Sequence, residues 1–278
     1  MIASLGADLL KSRKRAANWI LVAILVAILI GIVYLVTYAI MSNPPPGFQS
    51  NVPASELKRS VFPENLVPTV LNGISTLGAA IMLILGALST ASEYGWGTVQ
   101  TILVQRPGRL AVLGGKLLAL ALITVLVTLV VFAACAVVSL LLATLDGAHG
   151  QWPSAYLLLR GIGATALILA VWTALGMVLG VVFRSTAAAI GGGLTYLFVV
   201  ESLLGALFRT TPGVKDVLRF LPGINASAIV TSFPYTYRGE NAAVALVGAS
   251  RGAITLVIYL AVFTLIAVLV FQRRDVGA

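Results

Sequence analysis

Few side chains in this chain could do chemistry, and those few are scattered. The sequence holds one His and one Cys among 278 residues, with nine carboxylates. A zinc site needs clustered His, Cys or carboxylate ligands. His149 has only Asp146 near it, and Cys135 lies alone in an apolar run. No intramembrane serine protease can be assembled, because no His falls in the apolar runs to activate a Ser. Nor can a Walker A loop, whose glycines and lysine cradle phosphates. Gly115-Lys116 is the nearest approach, but Leu110 and Leu117 stand where the first glycine and the hydroxyl are required. The paired groups a lipid-modifying enzyme would need are likewise missing. No catalytic residue and no metal ligand is expected in the chain.

Two polar features remain. Glu201 is the one carboxylate inside an apolar run, and an ionised group there is costly unless paired, neutralised or watered. Arg160 falls at a comparable depth in the preceding run. The pair reads equally well as a structural tie or as the lining of a substrate or cation path. The second feature is the polar stretch from Ser92 to Lys116. Ser92 could cap a helix with Glu93 in its first turn. Trp96, Val99 and Leu103 would form one apolar stripe, with Arg106, Arg109 and Lys116 following the Pro107-Gly108 break.

What must position these groups is membrane. The chain is 59% hydrophobic and 10% charged, against about 25% charged in soluble domains, and its mean hydropathy is +1.04. Apolar runs recur at the length of roughly 20 residues that crosses a bilayer core. Six spans are expected, at Trp19–Met41, Leu66–Thr90, Leu117–Leu141, Ala155–Val182, Ala187–Phe208 and Gly252–Phe271. The first reads as an uncleaved span, being longer than a secretory h-region of about 7–15 residues. The fold class is an all-α polytopic membrane protein forming one transmembrane domain over residues 1–278.

Net charge is +9, but the bases flank the apolar runs, so they set orientation and no nucleic-acid partner is expected. Lys11, Arg13, Lys14 and Arg15 place the N-terminus inside, and the C-terminus follows it. Residues 2–16 fit a helix at the inner interface, with Ile2, Leu5, Leu9 and Leu10 on one face and the bases opposite. The outer loop 209–251 holds an amphipathic pattern at Val214, Val217, Leu218 and Leu221, bracketed by Pro212-Gly213 and Pro222-Gly223. A second apolar patch from Ile224 to Phe233 could dip into the outer leaflet. Gly176 and Gly180 form a GxxxG step suited to close helix contact, within the bundle or between copies.

Glu93, Gly97, Thr98, Leu103, Pro107, Arg109 and Lys116, in that order and spacing, resemble the signature of ABC-2 type permeases, the membrane subunits of a class of ATP-binding cassette exporters. The basic N-terminal helix, six spans and large last outer loop extend the likeness over most of the chain. The resemblance implies that residues 92–106 are a coupling helix that docks on an ATPase subunit. Glu93, Trp96, Gly97, Thr98, Val99, Leu103, Arg106 and Arg109 would be its contacts. It makes 2–16 the connecting helix and 209–251 outer helices. It implies two separate ATPase subunits, which bind the ATP and Mg, and a second permease copy or paralogue in the bilayer. The setting would be the inner (plasma) membrane of a prokaryote. Rival readings are an ion-gradient-driven transporter using Glu201 and a non-transporting permease relative that senses or scaffolds.

Overall fold

The computed structural model describes residues 2–45, 53–95, 109–148, 150–201, 203–204, 214–235 and 245–273. Everything regular among them is helical. Helix α1 (Ile2–Lys14) is followed at once by α2 (Ala16–Ser42), and the chain turns between them at Arg15, which is extended (φ −84, ψ 106). Next come the short α3 (Ala54–Lys58), then α4 (63–95), α5 (Arg109–Leu145) and α6 (Ala155–Phe183). The apolar α7 (Thr186–Glu201), the short α8 (Val214–Leu218), α9 (Pro222–Thr231) and α10 (Ala249–Arg273) complete the order.

Five of these helices are long and apolar enough to cross a membrane: α2, α4, α5, α6 and α10. Their backbone groups are satisfied within each helix, which is what lipid demands of a spanning segment. Of the expected fifth span, Ala187–Phe208, the apolar helix α7 covers Thr186–Glu201, and residues 203–204 are helical as well. Residues 205–208 lie outside the described residues. Stretches of π-helix interrupt α2 at Leu29–Val36, α4 at Ile74–Gly78 and α7 at Tyr196–Glu201.

The helices alternate in direction. Phe271 at the end of α10 and Val181 near the end of α6 share one small cavity with Glu93 and Lys116. At the opposite end Lys58 meets Asp146 at 2.5 Å, with Tyr38 beside both. That contact ties α2, α3 and the far end of α5 together.

The core is built on α4 against α6, the most extensive pairing in the molecule. Glycine makes it possible. A Cβ on Gly176 would collide with the backbone of Leu83, one on Gly86 with the backbone of Thr173, and one on Gly180 with the Thr90 hydroxyl. The two backbones therefore run in near contact, and Thr90 Oγ1 donates across to Met177 O at 3.3 Å. Within the chain, the Gly176–Gly180 step lies against α4. Helix α7 packs on the pair formed by α4 and α6, and α10 lies along α6.

Candidate functional site

The Glu93 end gathers charge from three helices. Glu93 sits in the last turn of α4, where its side chain is 13% exposed. One carboxylate oxygen accepts from Lys11 of α1 at 2.9 Å. The other forms a short ion pair with Lys116 of α5, whose Nζ also donates to Ser89 O at 3.1 Å. Arg15 adds a fourth strand to the tie, donating to Leu88 O at 2.9 Å and to Ser92 Oγ at 3.0 Å. Together these contacts lash the N-terminal helix to the exit of α4 and the foot of α5.

Local sequence explains why α1 can come so close. Gly115 opens a slot on α5, where a Cβ would sit 2.8 Å from the Leu5 backbone nitrogen, and Ser4 Oγ donates to Val112 O at 3.3 Å. Asp8 is half-buried in this region. Burial raises its carboxyl above the ordinary range, Lys116 and Lys11 pull it back, and the Glu93 charge adds to the rise.

Two sequence expectations are corrected here. Ser92 does not cap a new helix: the α-helix of α4 runs on to Gly95, and the Ser92 hydroxyl donates to Leu88 O one turn back. Glu93 thus lies within the helix of α4 and not at the start of a new one. The basic cluster is also not a uniform outward face of α1, because Lys11 and Arg15 turn inward onto α4. Trp96, Gly97, Thr98, Val99, Leu103 and Arg106 lie outside the described residues. Arg109 begins α5.

The second candidate, Glu201, is buried at the opposite end, near the exit of α7. The Tyr196 hydroxyl donates to one of its oxygens at 2.9 Å, and the Gly223 amide donates to the carboxylate as well. Pro222 occupies the first turn of α9, where a missing N–H costs nothing, so Gly223 carries one of that helix's orphan donors. Glu201 therefore caps α9 from another helix. Pro222-Gly223 opens this helix, where the sequence suggested only a stop. Arg160 does not serve Glu201: its guanidinium donates to Ser232 Oγ at 2.8 Å and lies 4.5 Å from the Phe233 ring centroid. Of the two readings, direct pairing of Glu201 with Arg160 does not occur; each ties separately onto the α9 segment. His149 lies outside the described residues, and no cluster of three potential metal ligands occurs among them.

Helices α8 and α9 differ from the expected pattern in one further way. In α8 Leu218 is buried but Val217 is exposed, so the apolar stripe turns only partly inward. In α9 the patch from Ile224 does pack, with Asn225, Ala226, Ile229 and Val230 buried and the helix laid against α10. The Cβ that Gly223→Ala would add falls on a Glu201 oxygen. That variant is expected to break the cap and cost about 1–3 kcal/mol, read as a lower unfolding midpoint. Glu201→Gln should cost less, because the amide oxygen still accepts.

Lys11, Arg15 and Tyr196 were not among the sequence-derived site residues. Lys11 and Arg15 carried a signal in their number, but nothing marked which of the four bases would turn inward. Tyr196 lies five residues before Glu201, a spacing that an α-helix does not bring together and a π turn does.

The assembled features are those of a multi-spanning all-α membrane protein with a charged tie at one end and a carboxylate-capped helix at the other. No curated protein matches the chain. Over residues 24–277 it matches the family model described as "Protein of unknown function (DUF2705)", and the chain belongs to that family.

Proposed function

We propose that the chain is the permease subunit of an ABC-2 type exporter, moving substrate across a prokaryotic plasma membrane. Work would come from two separate ATPase subunits that bind ATP and Mg, and a second permease copy or paralogue would complete the path. The reading is carried by the position of Glu93. It is the last charged residue of α4 before the 96–108 segment, and it is anchored on two sides by lysines from α1 and α5. Force applied to that segment would pass into α4, and through its close backbone contact with α6 into the core. The 96–108 segment and the Glu93 end of the bundle are the cytoplasmic side in this reading, in line with the excess of basic residues on the N-terminal segment.

The test is reconstitution of the chain with its partner ATPase. Deleting residues 96–105 is expected to leave membrane insertion intact while substrate flux falls at least about tenfold, a loss of roughly 1.4 kcal/mol or more of coupling. Normal flux from that deletion, with the ATPase present, overturns the reading.

One observation favours a rival, an ion-driven transporter: Glu201 is a buried carboxylate in an apolar helix. Gradient-driven flux from the chain alone in liposomes, abolished by Glu201→Gln, would select it. Against it stands the engagement of Glu201 by Tyr196 and the Gly223 amide.

A further inference from the structure

Two cavities adjoin at the Glu93 end and share Ser12, Asn18 and Leu85 in their walls. The first, of about 680 Å³, is bordered by Lys11, Lys14, Arg15 and Lys116, against the carboxylates Asp8 and Glu93. The second, of about 560 Å³, is a groove between α2 and α5. Trp19, Val22 and Val26 form one wall of it and Ile123, Val127 and Val130 the other. It follows α2 for roughly 10 Å from Trp19 to Val26. Its polar lining is Ser12, Arg13, Asn18 and the Trp19 indole N–H, and of these Ser12 and Asn18 also line the first cavity.

The charges here are not all spent. Lys11 and Lys116 share Glu93, and Arg15 is committed to Leu88 O and Ser92 Oγ. Arg13 and Lys14 are exposed and make no ion pair among the described residues. Arg13 borders the groove and Lys14 the charged cavity, so the two cations flank the junction. Trp19 is fixed there too, its Nε1 donating to Arg13 O at 2.7 Å.

The geometry points to a binding site for one anionic phospholipid, its phosphate against Arg13 and Lys14 and an acyl chain in the groove between α2 and α5. A zwitterionic headgroup would bring its ammonium among cations that already outnumber the carboxylates. A headgroup with a net negative charge gains from the same surplus. The apolar groove continuing from the phosphate position selects a lipid over a soluble phosphate. Bound there, the lipid would fill the angle between α1, α2 and α5 and so brace the Lys11–Glu93–Lys116 tie. None of this depends on an ATPase partner.

The experiment reads Trp19 in the full-length protein, in vesicles of phosphatidylcholine doped with phosphatidylglycerol, either lipid carrying brominated acyl chains that quench indole fluorescence. Subtracting the Trp19→Phe protein isolates the Trp19 component. Phosphatidylglycerol is expected to quench it with an affinity about tenfold above that of phosphatidylcholine. The double variant Arg13→Gln/Lys14→Gln should bring the two lipids within about twofold. Its unfolding midpoint in pure phosphatidylcholine should stay unchanged, which separates lost binding from lost folding. Equal quenching by both lipids in the wild type, or a preference that survives the double variant, overturns the proposal. A preference erased by soluble glycerol 3-phosphate assigns the site to free phosphate and overturns it equally.

Discussion

Replacing Glu93 by alanine is expected to lower the stability of the bundle by about 2–4 kcal/mol, because it leaves Lys116 buried without its counter-charge. The Lys116 side chain is only 9% exposed, and its remaining acceptor is the Ser89 carbonyl. That single hydrogen bond keeps the cost toward the lower part of the range for breaking a buried pair. Lys11 is different. Its side chain is 52% exposed, so Lys11→Ala should cost no more than about 1 kcal/mol. The contrast checks the assignment: thermal unfolding of both variants in one detergent must rank Glu93→Ala well below Lys11→Ala. The double variant Glu93→Ala/Lys116→Met should recover much of the loss, since the buried ammonium is then gone as well. If it is no more stable than Glu93→Ala alone, the burial of Lys116 is not what makes Glu93 necessary. The double variant also separates stability from function. Under the permease reading proposed above, a stable protein that fails to couple ATP hydrolysis to flux would place Glu93 in force transfer and not merely in folding.

Gly176→Ala is expected to be as damaging, for a reason that has nothing to do with charge. Alanine normally favours a helix over glycine by about 1 kcal/mol, so the local term alone would stabilise α6. The added Cβ, however, would meet the Leu83 carbonyl oxygen at a distance no real Cβ tolerates, with the Leu83 carbonyl carbon and the Ala87 nitrogen both at 2.9 Å. These are backbone atoms of a packed helix and cannot rotate away. Helices α4 and α6 must separate, at a cost of roughly 3 kcal/mol or more. Gly86→Ala meets the Thr173 carbonyl in the same manner from the other helix and should behave alike. Gly163→Ala on α6 is the control: nothing lies within 4 Å of its Cβ position, so the variant should fold as well as the wild type. Folded yield by size-exclusion chromatography decides between them, and equal yields from Gly176→Ala and Gly163→Ala would show that α4 and α6 are not in backbone contact.

The sequence made the long spans legible because apolar runs of bilayer length have few other uses. The GxxxG step was legible for the same kind of reason, since small residues at that spacing let backbones approach. Its partner was not, because α4 meets the step chiefly through the backbones of Leu83, Ala87 and Ala91 and the Thr90 hydroxyl, and backbone atoms leave no trace in residue type. The charged tie was half legible. Glu93 and Lys116 stood out as polar residues at the ends of apolar runs, but Lys11 reaches Glu93 across 82 positions, beyond any local pattern. Glu201 invited pairing with Arg160 by depth alone. What settled its environment instead was a main-chain amide at the start of α9, together with a tyrosine brought round by a π turn. Depth along a helix can be counted from sequence, whereas azimuth around it cannot once the turn widens.

Those widened turns bear on how the molecule could move. Leu29–Val36 and Ile74–Gly78 interrupt α2 and α4 where the two helices meet, with Leu29 and Val33 seated over Gly73. Each wide turn holds more residues per revolution than the regular helix on either side of it. Tightening one would lengthen the half-helix beyond it and swing its side chains to new bearings, with the preceding half undisturbed. The uninterrupted α6 has no such joint. Any rearrangement by that route would fall on α2 and α4, with the regular helix of α6 left as it is.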